Sequence, residues 1–184
     1  DSTKGWLPLE DDVAALDHIP PPTQRAAFAY GQVGSSSNTS LKNLMNSSGV
    51  IASDVTGVGT ARRMISGATY GTDKGIFAYG YVSGNVNMSN LMNNSGVIAA
   101  DVTGVGTARR GTGSTGYGAD KAIYAFGLAG ADTNLSNLVS NVGVVASDTT
   151  GVGTARAELV GVRYGGDKAI MSFGTTGSTK TNLI

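Results

Sequence analysis

Short apolar runs separated by turn residues set the pattern of this chain. Ile76-Phe77-Ala78-Tyr79-Gly80, Ile123-Tyr124-Ala125-Phe126-Gly127 and Ile170-Met171-Ser172-Phe173-Gly174 mix large and small residues, and Ala27-Phe28-Ala29-Tyr30-Gly31 starts the series. Together with β-branched runs such as Val50-Ile51, they predict strands of four to six residues. Tyr70-Gly71-Thr72-Asp73-Lys74 leads straight into the first of these runs, and the same Tyr-Gly-x-Asp-Lys pattern ends at Lys121 and Lys168. Its Gly and Asp suit a tight hairpin turn, because both tolerate positive φ or bond locally to the backbone.

The pattern is periodic. Asp-Val/Thr-Thr-Gly-Val-Gly-Thr-Ala-Arg is written at residues 54–62, 101–109 and 148–156, each 47 residues after the last. Such a period marks a repeat architecture, in which a unit buries its apolar face only against its neighbours. An apolar segment opened by Asn-Leu precedes each copy, at Asn43, Asn90 and Asn137. The unit is therefore expected to hold four strands: after each Arg, after each Asp-Lys, around each Asn-Leu, and at each Val/Ile-Ala-Ser/Ala-Asp. Four antiparallel strands per unit of this length is the pattern of a β-propeller blade. The fold class expected is all-β, a propeller or related antiparallel β-repeat array of three full units and a partial fourth. Closed propellers usually need four or more blades. The alternatives are a four-unit ring patched by the N-terminal arm, a ring or stack shared between subunits, and an open array capped by a neighbour. An uncapped end exposes an edge and an apolar face, so a partner, self or other, is expected.

Residues 1–24 stand outside the repeats, which occupy residues 25–184. This arm holds the only Trp, Trp6, and the only His, His18. Val13, Leu16 and Ile19 fall at near-helical spacing within residues 10–19, with acids in the first turn, and Pro20-Pro21-Pro22 then stops any helix. Trp6, Leu7 and Leu9 either dock into a partner or pack on the chain's own repeats, since an apolar stretch needs a cover. The chain opens on Asp1 with neither an initiator Met nor a signal-peptide pattern.

Charge changes the picture by subtraction. Thirteen basic residues balance 13 acidic ones, and charged residues are only 14% of the chain, against about 25% in an average domain. The surface must be mostly Ser, Thr, Asn and Gly, and nothing supplies the basic excess that nucleic-acid binding requires. Cysteine is absent, which excludes disulfides and thiolate metal sites, and no apolar run reaches the ~20 residues of a membrane span.

The recurring polar residues are Asp54 with Arg62, Asp101 with Arg109, and Asp148 with Arg156. They could ring one face and bind a sugar or phosphate. The alternative, favoured because the pairs are identical in every copy, is that Asp caps turn N–H groups while Arg clamps a loop carbonyl. Gly-Val-Gly-Thr lacks the Lys-Ser/Thr ending of a phosphate loop. The Asp-Lys pairs at 73–74, 120–121 and 167–168 read as solvated hairpin turns rather than ion sites. A lone His18 gives no catalytic triad or metal set, and Glu occurs only at 10 and 158, so no enzyme, cofactor or metal is expected. The loops at 32–40, 81–88 and 128–134 differ among copies, with a two-residue insertion in the first, and are the expected place for recognition.

The order Thr-Ala-Arg, variable strand, Tyr-Gly-x-Asp-Lys, then aromatic-Gly resembles a kelch-type propeller repeat, although the glycine after the aromatic strand is single and the late Trp of that family is missing. More closely, residues 137–156 are similar to repeats of virion-surface and tail proteins of tailed bacteriophages, a likeness that covers residues 25–184. The resemblance implies a structural virion protein on the tail or head surface, serving decoration or host attachment, anchored by its arm to other virion proteins or to copies of itself. It implies an extracellular particle as location; the unsatisfied ends make a homo-oligomer the expected state, and charge and hydropathy lead to the expectation of neither nucleic-acid binding nor membrane insertion. A lectin-like module that reads a host-surface glycan through the divergent loops is the alternative.

Overall fold

A computed structural model of the chain describes residues 26–177 and 179–180. The arm at residues 1–24, with its expected helix and docking residues, lies outside them. The described residues are all-β and contain no helix. They form five small antiparallel sheets. The first pairs β1 (Ala26–Val33) with β2 (Ser37–Met45). The second orders β3 (Ser66–Tyr70), β4 (Lys74–Ala78) and β5 (Ser89–Met92). The third adds one strand to that plan: β6 (Gly113–Tyr117), β7 (Lys121–Leu128), β8 (Asp132–Val139) and β9 (Thr149–Thr150). The fourth is β10 (Val160–Tyr164) with β11 (Lys168–Ser172), and β12 (Thr175–Thr176) with β13 (Thr179–Lys180) makes the fifth.

The expected hairpins form where Tyr-Gly-x-Asp-Lys stands. Tyr70 pairs with Lys74, Tyr117 with Lys121 and Tyr164 with Lys168, leaving three-residue turns. Their first two residues have positive φ: 56° and 69° at Gly71 and Thr72, 56° and 67° at Gly118 and Ala119, 58° and 78° at Gly165 and Gly166.

A second recurring device ends the aromatic strand. Tyr30, Tyr79, Phe126 and Phe173 all sit at φ of 61–65°, a conformation uncommon for aromatic residues. The pairing register shifts at two of these places, between Ala29 and Gly31 and between Ala125 and Gly127. Such a bulge breaks the strict alternation of a strand. In the second unit the left-handed backbone at Tyr79 has the same effect, and Ala78 and Tyr79, neighbours in sequence, both reach the core packed against the next sheet.

The fourth expected strand does not form as a strand in any of the three units. Residues 50–55 and 97–102 touch their neighbours only at isolated bridges, such as Met45 with Ile51 and Met92 with Ile98. In the third unit residues 144–148 likewise have a bridge of Val139 with Val145, and the two residues of β9 pair just beyond them. The cause is a side chain that takes the place of the ladder. Asn43, Asn90 and Asn137 each donate Nδ2 to the carbonyl of Ala52, Ala99 and Ala146, at 3.0, 3.0 and 2.9 Å.

The sheets pack face to face in sequence order. Between the first and second, Tyr30, Phe77, Met92 and Ile98 form one core cluster. Between the second and third, Tyr70, Ile76, Ala78 and Tyr79 meet Ala122, Tyr124 and Val139. Burying each large side chain contributes about 1.5–3 kcal/mol. An edge-to-face aromatic pair centres each cluster, Tyr30 on Phe77 at 5.8 Å and Tyr79 on Tyr124 at 5.4 Å. Backbone bonds also run from sheet to sheet, Gly111 N–H to Met64 O at 3.0 Å and Glu158 N–H to Gly111 O at 2.7 Å. Among the described residues the sheets close into neither a barrel nor a propeller ring.

Candidate functional site: the junction between successive sheets

Each junction is built around a buried arginine. Arg62 leaves the first unit with no exposed surface. Its Nε donates to Tyr79 O at 3.0 Å, Nη2 to Phe77 O at 3.3 Å and to Asn90 Oδ1 at 2.7 Å, and Nη1 to Thr60 O at 3.2 Å. One face of the guanidinium lies 4.3 Å from the centre of the Tyr30 ring. The group thus stacks on one sheet and bonds the next, a use that needs the planar fork of arginine and not a lysine point charge.

The carboxylate is supplied across the junction. Asp101 accepts from Thr60 N–H at 3.0 Å, Thr60 Oγ1 at 2.6 Å and Asn90 Nδ2 at 2.9 Å, with Arg62 Nη1 3.8 Å away. Asn90 therefore takes the arginine on its oxygen and the aspartate on its nitrogen. The second junction repeats the first: Arg109 bonds Phe126 O at 2.8 Å and Asn137 Oδ1 at 2.5 Å and stacks 4.2 Å from the Tyr79 ring. Asp148 there accepts from Thr107 Oγ1 at 2.6 Å and Asn137 Nδ2 at 2.9 Å, 3.6 Å from Arg109. In the third, Arg156 stacks 4.6 Å from Phe126 and donates Nη2 to Met171 O at 3.2 Å, but its buried Nε has no partner among the described residues.

Partial burial works to raise the Asp101 carboxyl, yet the bonds from Thr60 and Asn90, with Arg62 nearby, hold it below its ordinary value. Asp148 is held down in the same way by Thr107, Asn137 and Arg109 against its own burial. Desolvation lowers Arg62, with Tyr30 and Asp101 opposing that effect; a guanidinium so paired stays charged at neutral pH.

The motif residues are therefore brought together in an order different from their sequence pairing. Arg62 meets Asp101 and Arg109 meets Asp148. Asp54 is exposed and accepts from Asn43 Nδ2 at 2.7 Å. The arginines clamp carbonyls, as expected, whereas the aspartates cap N–H groups of the preceding unit instead of their own turn. In the first two copies Gly-Val-Gly-Thr presents the N–H of its Thr to an anion, but the anion is the protein's own aspartate. Sequence reasoning passed over Asn90, Asn137, Thr60 and Thr107, although each Asn stands 11 residues before its Asp in every copy. The Asp-Lys turns carry no cluster, and among the described residues no three His, Cys, Asp or Glu side chains converge.

Two divergent loops take part in the junctions. Asn38 accepts from Arg63 Nη1 at 3.0 Å and donates to Val82 O at 3.2 Å, while Asn85 accepts from Arg110 Nη1 at 2.9 Å and donates to Leu128 O at 2.8 Å. The Tyr81 ring lies between Arg63 and Arg110, at 4.7 and 4.9 Å. The third loop differs: Asp132 accepts from Gly177 N–H at 2.7 Å and borders an open cleft of about 520 Å³ with Arg110, Leu128, Glu158 and Thr175. A second open cleft, of about 560 Å³, lies beside the first sheet and is lined by Gln32, Thr39, Asn43 and Asp54 with Phe28 and Phe77. No family model matches the chain, and no curated protein matches it.

Proposed function

We propose that this protein is a structural component of a tailed-phage virion, on the tail or head surface, and not a catalyst. Its described part is then a β-repeat array, kelch-like or related, of three full units and a partial fourth, with the arm at residues 1–24 as its tether. One observation carries the structural half of this reading: the groups best suited to chemistry, Arg62 and Arg109, are buried and committed to holding one sheet on the next. The virion half comes from the resemblance of residues 137–156 to phage surface and tail repeats. Proteomics of purified particles of a phage encoding this chain, followed by gold-labelled antibody, should find it at stoichiometric level on tail or head. Its absence from purified particles would sink the virion reading.

The open cleft at the third loop favours a second reading, recognition of a host-surface glycan. Arg110, Asp132 and Glu158 give it hydrogen-bonding groups beside the apolar Leu128, the mixture a sugar site uses. A glycan array should then give a signal that falls on Glu158→Gln; a blank array removes this reading.

A further inference from the structure

Among the described residues, the first and fourth sheets each leave exposed a face of the kind that the second sheet buries on both its sides. Within the chain, one kind of face looks forward. Tyr70, Ile76 and Tyr79 form it on the second sheet, at 4%, 0% and 0% exposure. The opposite kind looks back, with Phe77, Met92 and Ile98 on the second sheet at 8%, 9% and 2%, and Tyr124 and Val139 on the third at 0%. The forward face of the fourth sheet carries Tyr164, Ile170 and Phe173 at the equivalent places, widened by Val160 and Val162. Tyr164 and Phe173 are each 53% exposed. At the other end, the backward face of the first sheet carries Phe28 and Ile51, equivalents of Phe77 and Ile98, at 54% and 56% exposure.

We infer that these two bare faces are the halves of one interface, and that a second copy of this chain docks head to tail, the Phe173 face of one copy against the Phe28 face of the next. The argument for a second copy is complementarity already realised twice inside the molecule. At the first two junctions the aromatic that ends the forward face meets the central aromatic of the backward face edge to face, Tyr30 with Phe77 and Tyr79 with Tyr124; at the third, Met171 stands in place of the second aromatic. Phe173 has the same left-handed backbone as Tyr30 and Tyr79, φ 61° against 65° and 63°. Phe173 and Phe28 would make a third aromatic pair of this kind, and within the chain they lie on separate exposed faces. Such a contact joins different patches, so it propagates into a chain of copies or closes into a ring. This deepens the assembly reading above and rests on it, but it is tested on purified protein, so its failure leaves the presence of the protein in virions unaffected.

The test uses the full chain and two variants that each block one end. Phe28→Asp places a charge on the backward face, and Phe173→Asp on the forward face, where Asp tolerates the left-handed backbone. Both sites are more than half exposed in the single chain, so circular dichroism and the thermal midpoint should stay near those of the unsubstituted protein. Should either fail to fold, Ile51→Asp or Tyr164→Asp replaces it. Sedimentation velocity should give concentration-dependent oligomers for the unsubstituted chain. Each variant alone should remain monomeric, with a dissociation constant raised at least about tenfold. An equimolar mixture of the two should form a dimer and stop there, because each variant keeps one intact face. A monomeric unsubstituted chain at high concentration overturns the inference. So do oligomers indifferent to both substitutions, or a mixture that does not pair.

Discussion

Tyr79 is fully buried and its hydroxyl has no partner among the described residues. Burial pushes its phenol up to about 12, against the opposing pull of Arg109. An unsatisfied buried hydroxyl costs about 1–3 kcal/mol, and the third unit carries Phe126 at the equivalent place. Tyr79→Phe should therefore leave stability unchanged or raise it by about 1 kcal/mol. Tyr30 donates to Val58 O at 2.9 Å, so Tyr30→Phe should lower stability by about 1 kcal/mol. Urea denaturation of the two variants checks the difference, and a loss of stability in both would show that the Tyr79 hydroxyl has found a partner. The aspartates make a prediction of the opposite kind, in which a charge helps. Asp101 and Asp148 are held below the ordinary carboxyl value near 3.8 in the folded protein. A depressed folded pKa contributes stability that is present above the unfolded value and disappears as pH falls through the folded one. Acidification below pH 3.8 should therefore loosen both junctions, and the double variant Asp101→Asn, Asp148→Asn should lose less on the same descent while starting less stable at neutral pH. Thermal midpoints at neutral pH and at about pH 3 measure this, and parallel losses in the two proteins would remove these carboxylates as the cause.

Among the elements, the hairpin turns carry the clearest strain. Thr72 and Ala119 hold φ of 69° and 67°, where a side chain costs about 1–2 kcal/mol. The third turn has Gly166 at that place, with φ 78°. Thr72→Gly and Ala119→Gly should each stabilise by about 0.5–1 kcal/mol, the strain relieved less the added freedom of the unfolded chain. A lowered denaturation midpoint in either would mean that the side chain makes a contact worth more than its strain. These turns also mark what a sequence discloses. Tyr-Gly-x-Asp-Lys was legible because everything that determines a three-residue turn lies within five residues. The strands after each Arg, after each Asp-Lys and around each Asn-Leu were legible for the same reason. The segments at 50–55 and 97–102 looked like strands because Val and Ile favour them, but Asn43 and Asn90 capture the carbonyls of Ala52 and Ala99, and local propensity does not register such a competitor. The site was half legible. The repetition of Asp and Arg pointed to a structural role, but the partner of Arg62 is Asp101 in the next unit, and neighbours in sequence gave no sign of that. Asn90, which holds both, was hidden behind the Leu that follows it.

At the scale of the whole molecule, the first four sheets pack on one another in order, and the first two junctions use the same set: an arginine between an aromatic ring and an Asn-Asp pair, with a threonine capped by the aspartate. If the units interact only with their neighbours, stability is a sum of unit and junction contributions, and a unit can be removed without disturbing the rest. Deleting residues 63–109 joins Arg62 to Arg110. Arg62 then faces Phe126 O, Asn137 and Asp148, the partners that Arg109 has now, while Thr60 takes the place of Thr107 and Tyr30 meets Tyr124. The shortened chain should fold cooperatively with an all-β circular dichroism spectrum. Its stability should be lower by one junction, and its denaturant slope should fall by about a quarter to a third as the surface exposed on unfolding shrinks. A ring would respond differently, because its closure depends on the number of units and the loss of one leaves every remaining junction strained. An unfolded or aggregated deletion product, set beside a cooperative unsubstituted chain, would therefore count against nearest-neighbour stacking and for closure of the units on themselves.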